Sequence, residues 1–131
     1  MRIVLDASAA VVVVLRRPQS RLLEEALEAA DSILAPDLLV PELVNTIWKY
    51  HQFEGLNVDL CDRALCRALG LVDVLVPSEE LAREAFLLAR TTARSAYDMF
   101  YLALARREDA CLLTRDTALR KEAQRQGVSV L

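Results

Sequence analysis

The sequence predicts an α/β fold: three layers, α/β/α, around a central parallel sheet. Three observations point there. Short strand-like apolar runs alternate with helical stretches along the whole chain, which implies parallel strands covered on both faces. The 131 residues suit one domain with one core, and no linker, repeat or low-complexity tract divides residues 1–131. Glycine (3) and proline (4) are scarce, which argues against long irregular loops.

Each element has a local reason. Residues 2–6 hold the apolar run Ile3-Val4-Leu5 and read as a strand ending at Asp6. Residues 8–15 start a helix capped near Asp6 to Ser8, and Pro18 ends it. Residues 20–30 are an amphipathic helix with Ser20 as its cap. Ser32 to Ala35 is a strand. A helix then opens with Pro36 in its first turn and closes before Gly55, with Pro41 either kinking it or marking a second start. Residues 58–69 form another helix with Gly70 beyond its end, and Leu71 to Val76 a strand. A helix follows with Ser78 as its cap, and another from about Ser95. Ala110 to Leu113 is a strand, the helix TALRKEAQRQ stops at Gly127, and VSVL is a last strand.

Composition narrows the function. No signal peptide is evident, because Asp6 interrupts the first apolar run. The longest clean apolar run, Ala9 to Leu15, falls far short of the roughly 20 residues that cross a bilayer. Three cysteines (Cys61, Cys66, Cys111) without framework spacing suggest a reducing, cytoplasmic setting and plain buried or half-buried thiols. Net charge is −3, but its distribution is uneven. Between Leu22 and Glu80 twelve acids face only Lys49, Arg63 and Arg67, whereas from Arg90 to Arg125 eight bases face five acids. Fourteen of the sixteen bases are arginine, the better partner for phosphate, although a solvated surface accounts for many of them.

Several chemistries are excluded. No glycine-rich loop follows the first strand, so a dinucleotide or P-loop site is unsupported. Asp6-Ala7-Ser8 lacks the second acid of an Asp-x-Asp phosphotransferase. A phosphoacceptor receiver would want paired acids after the first strand and a lysine near the last. The one histidine, His51, has no spaced partner, which argues against a Ser-His-Asp hydrolase and against a soft-metal site. The acids are more telling. In an open α/β sheet, ligands bind beyond the carboxyl ends of the strands, where strand order reverses. Asp6 and Asp116 stand at two such ends and share one crevice if their strands are neighbours. Asp98 is the only charge from Ala96 to Ala105. A capping box, Ser95-x-x-Asp98, accounts for it locally, but not for an acid on so apolar a helix. Glu42 sits in PELVN, with Asn45 on the same helical face; a commonplace first-turn acid after Pro41 is the plainer reading. Four converging acids persist at neutral pH only with raised pKa values or a bound cation, and oxygen donors point to Mg²⁺ or Mn²⁺.

In order and spacing, IVLDAS, PELVN, SAYDMFYLALA and LLTRD resemble the PIN-domain ribonucleases, a Rossmann-like fold, and most of all the VapC-type toxins of toxin–antitoxin pairs. The resemblance spans residues 2–131. It implies Asp6, Glu42 and Asp98 as the core metal-binding acids and Asp116 as a more variable fourth that often reaches metal through water. It implies Ser8, Asn45 and Thr114 as the polar side chains that support them. It implies cleavage of RNA to a 5′-phosphate and a 3′-hydroxyl, a homodimer, and a small antitoxin protein that plugs the site. Met99 and Phe100 stand where the family often has small residues. Two other functions stay open on the same fold: a PIN nuclease of RNA processing without an antitoxin, and a non-catalytic RNA-binding or protein-interaction module.

Overall fold

A computed structural model describes all of residues 1–131. Four strands and seven helices follow one another as β1 (Arg2–Leu5), α1 (Ala7–Val14), α2 (Ser20–Glu28), β2 (Ser32–Pro36), α3 (Leu39–Glu54), α4 (Val58–Gly70), β3 (Val74–Val76), α5 (Ser78–Thr92), α6 (Ala96–Arg107), β4 (Cys111–Leu113) and α7 (Thr117–Arg125). The sheet is parallel throughout, in the order β3-β2-β1-β4, with helices on both faces. The chain therefore steps outward from β1 to β3 and then returns to β1's other side. That reversal lies between β1 and β4, where Leu5 pairs with Leu113, and it places the residues after both strands at the mouth of one crevice.

The core explains the strand-like runs. Ile3, Val4, Leu5, Leu112 and Leu113 are fully buried. Helix α6 lies across β1, β2 and β4, with α5 beside it, while α1 touches α2, α3 and α4. Surrounded in this way, α1 buries six of its eight residues, so Val11, Val13 and Val14 need no polar counterface. No helix is long and apolar enough to cross a membrane.

The structure moves several sequence-based boundaries. Pro36 ends β2, paired with Val76, and α3 begins at Leu39. Pro41 falls in the first turn of α3, where a helix does not need its missing N–H. The strand expected over 71–76 begins only at Val74, because Leu71 closes α4. Asp73 bridges the gap: its backbone N–H donates to the Ile33 carbonyl (2.8 Å) and its carboxylate accepts from Ile33 N–H (2.7 Å). Gly70 remains helical. Gln19 and Pro77, not Ser20 and Ser78, occupy the cap positions of α2 and α5. Ser78 instead donates through its backbone N–H (3.0 Å) and its hydroxyl to Asp37, tying the start of α5 to the end of β2. The last strand shrinks to a single parallel bridge, Val130 to Leu112. Cys111 is buried and Cys61 half-buried, but Cys66 is exposed.

Candidate active site

The site is assembled from the ends of two strands and the starts of four helices. Asp6 follows β1 and is 5% exposed. It caps α1: one carboxylate oxygen accepts from Ala9 N–H (3.0 Å) and from the Ser8 hydroxyl (2.7 Å). The other oxygen accepts from the hydroxyl of buried Thr114, which follows β4. Thr114 in turn accepts from Asp116 N–H (3.0 Å), and Ser8 from Arg115 N–H (2.9 Å). The two strand ends are thus stitched together around one carboxylate. Asp116 caps α7, accepting from Leu119 N–H at 3.0 Å.

Glu42 and Asp98 are held differently. Glu42 lies in the first turn of α3, half-buried, and accepts a 2.5 Å hydrogen bond from the hydroxyl of Tyr101. Asp98 lies in the first turn of α6, half-buried, and makes no hydrogen bond. The capping box foreseen at Ser95 does not form: Ser95 holds the cap position without a side-chain bond, and Asp98 does not reach back to it. Asp98 is therefore not accounted for by helix capping.

The charges of these acids interact. Burial pushes Asp6 up to about 6 against the bonds from Thr114, Ala9 and Ser8, and Glu42's charge adds to the rise. Burial also raises Glu42, opposed by the Tyr101 bond and reinforced by Asp98. Asp98 is raised by burial and by Asp116, and held back by Arg94. Tyr101, 2% exposed, is raised far above its usual range by burial and by Glu42, with Asp6 and Asp98 contributing. Asp6, Glu42, Asp98 and Asp116 thus form one chain of electrostatic neighbours. None of the four takes part in an ion pair.

The side chains as they stand do not bring three carboxylates into one coordination sphere. The donor set fits a hard divalent cation: oxygen atoms alone, one of the acids buried, and the nearest cationic influence a single arginine.

Of the supporting residues foreseen, Ser8 and Thr114 bond directly to Asp6. Asn45 is exposed on α3 and bonds to none of the acids. Tyr101 escaped the sequence reading. Its signal was faint: it lies three residues after Asp98, on the same face of α6, with a polar tip on an apolar helix. Among the arginines, Arg106, Arg107 and Arg125 are engaged with Glu84, Glu80, Glu108 and Glu122. Arg90, Arg94 and Arg115 have no carboxylate partner, and Arg120 donates to a main-chain oxygen of Leu131.

Four carboxylates around the switch point of a parallel α/β/α sheet define an α/β protein with an acidic site. Residues 3–124 match the PIN domain, a span that includes all four acids. The chain belongs to the PIN-domain family. It is 30% identical over 121 residues to Ribonuclease VapC3 of Pyrobaculum aerophilum, covering 91% of this chain and 92% of that protein. Two solved structures share the fold. A Pyrobaculum aerophilum protein superposes with a TM-score of 0.72 at 20% identity, over 99% of this chain and 89% of that one. VapBC2 from Rickettsia felis, crystallised bound to a DNA fragment from its promoter, superposes with a TM-score of 0.68 at 17% identity, over 100% and 98% of the two chains.

Proposed function

We propose that this chain is a Mg²⁺- or Mn²⁺-dependent endoribonuclease and the toxin of a toxin–antitoxin pair: a cytoplasmic homodimer restrained by a small antitoxin. The observation that carries the catalytic reading is the chain of four neighbouring carboxylates, none in an ion pair, at the reversal of strand order. The resemblance to a VapC ribonuclease along nearly the whole chain supports RNA as substrate. The shared fold with a VapBC assembly supports an antitoxin partner.

Asp6, Glu42 and Asp98 would hold the ion, with Asp116 beside them. When bound, such an ion lowers the pKa of a water molecule and offsets charge on phosphate oxygens. The chain's own residues prepare this site. Thr114 and Ser8 fix both oxygens of Asp6, so its orientation is set before any ligand arrives. Tyr101 holds one oxygen of Glu42 and leaves the other free. Arg94, whose positive charge already reaches Asp98, can accept a backbone phosphate near the acids.

The test compares the parent with Asp98→Asn on RNA in Mn²⁺ or Mg²⁺. The substitution keeps the shape and removes the charge. Cleavage should fall by about 100-fold or more, with the circular dichroism spectrum retained. Mn²⁺ should raise the melting temperature of the parent and do so less for the variant. Cleavage by Asp98→Asn near the parent's rate overturns the assignment. A small protein copurifying with the chain separates the toxin from a nuclease that acts without an antitoxin.

A further inference from the structure

Beside the acids, on the far side of Thr114, lies a second concavity of about 450 Å³. Helix α2 forms one wall with Leu22, Leu23 and Ala26, and the turn from β4 into α7 forms the other with Leu113, Arg115 and Arg120. Its lining is mostly apolar, yet two guanidinium groups stand at it. Arg120 is committed, since it donates to a main-chain carboxylate oxygen of Leu131, the last residue, which also lines the recess. Arg115 is exposed and has no carboxylate partner. Its backbone is nevertheless fixed, because its N–H donates to Ser8 within the network that holds Asp6. The preceding residue, Thr114, touches both spaces: it lines this cavity and its hydroxyl bonds to Asp6.

An apolar recess beside an unpaired arginine matches one nucleotide of a single-stranded chain, with an unstacked base against the aliphatic side chains and its phosphate on the guanidinium. We infer that this cavity is a nucleotide subsite for the RNA substrate, flanking the scissile phosphate, with Arg115 as a positioning residue. The inference rests on the nuclease reading and deepens it. Because Arg115 and Asp6 share one hydrogen-bond network, the subsite sets which phosphodiester bond reaches the acids.

The experiment uses the full chain, Mn²⁺, and a single-stranded oligoribonucleotide whose cleavage position is mapped with the parent. Arg115→Ala should raise KM about fivefold, leave kcat within about twofold, and flatten the dependence of KM on salt by roughly one phosphate contact. A series of substrates with one base deleted at each position should reveal, for the parent, one sensitive position adjoining the cut, with kcat/KM reduced about fivefold or more. Ala26→Phe, which fills the recess, should erase that sensitivity. The surface variant Arg115→Ala keeps the test open should Ala26→Phe fail to fold. Parental KM, salt slope and base-deletion profile in the folded variants overturn the subsite while leaving the nuclease intact. Loss of binding to a copurifying protein with RNA kinetics unchanged also overturns it, in favour of a protein-docking recess. A parent that cleaves no RNA brings down the nuclease reading and the subsite together.

Discussion

The two edges of the sheet treat acids in opposite ways. At the amino ends of the strands, acids meet cations: the amino group of Met1 pairs with Asp31, and Arg2 with Glu108 at 2.8 Å. At the carboxyl ends, acids meet acids. Burial and neighbouring acids raise Asp6, Glu42 and Asp98, with Asp116 among those neighbours, and no lysine or arginine pairs with any of the four. Surface ion pairs such as Arg2–Glu108 contribute about 0–1 kcal/mol. A buried carboxylate without a cation costs more, and the fold bears that cost at the edge where an α/β sheet binds ligands. The difference separates charge that serves stability from charge that serves a site.

The largest test of this contrast is the pH dependence of stability in EDTA. Asp6 has a folded pKa of about 6 against an ordinary value of 3.8. The folded protein therefore binds its proton more tightly than the unfolded chain. Its stability falls as pH rises between those values, by on the order of 3 kcal/mol in total if Asp6 acted alone. Metal-free protein should accordingly melt at a higher temperature at pH 5 than at pH 7.5. Asp6→Asn should remove most of that gain. A melting temperature that climbs steadily from pH 5 to 7.5 contradicts the burial of an uncompensated carboxylate.

Thr114→Val probes the same edge with a smaller change. The side chain keeps its shape and loses the hydroxyl that donates to Asp6. The cost should be about 1–3 kcal/mol at pH 7.5. It should shrink toward pH 5, where the Asp6 carboxyl is increasingly protonated and needs the donor less. Denaturant melts at the two pH values measure it, and an equal loss at both would assign Thr114 to packing alone.

The smallest effect belongs to the opposite edge. Arg2→Ala should cost less than about 1 kcal/mol, and moderate salt should reduce even that. A larger, salt-insensitive loss would mean that the amino-end pairs matter as much as the carboxyl-end cluster, and the contrast between the edges would disappear.

Much of this arrangement was legible along the chain. The strand ending at Asp6 and the lone acid on the apolar helix at Asp98 are local features, readable from periodicity and spacing, whereas Glu42 stood out only through the family resemblance of the ordered segments. The boundaries that failed depend on partners distant in sequence. Residues 71–76 carry strand-like side chains, yet Asp73 bridges to Ile33 through its carboxylate and backbone, and pairing starts only at Val74. The terminal VSVL meets β4 only through the bridge from Val130 to Leu112. Tyr101 could not be recognised as Glu42's donor because 59 residues separate them and only the packing of α6 against the sheet brings them together. Asn45 shared a helical face with Glu42 on paper, but one turn of helix was enough to carry it into solvent.

By itself, the sequence determined that acids of this type stand at strand ends and helix starts, since apolar runs and turn residues specify where those elements stop. Only the tertiary structure decided that β4 returns to lie against β1. That strand order turns four separate acids into one electrostatic cluster, sets Thr114 against the carboxylate of Asp6, and opens the Arg115 recess beside it. Strand order is a property of how helices cover both faces of a sheet, and no local stretch of residues encodes it. What became of IVLDAS depended on its neighbour: Asp6 is held by the threonine of LLTRD, and the site also needs Glu42 and Asp98 from two helices.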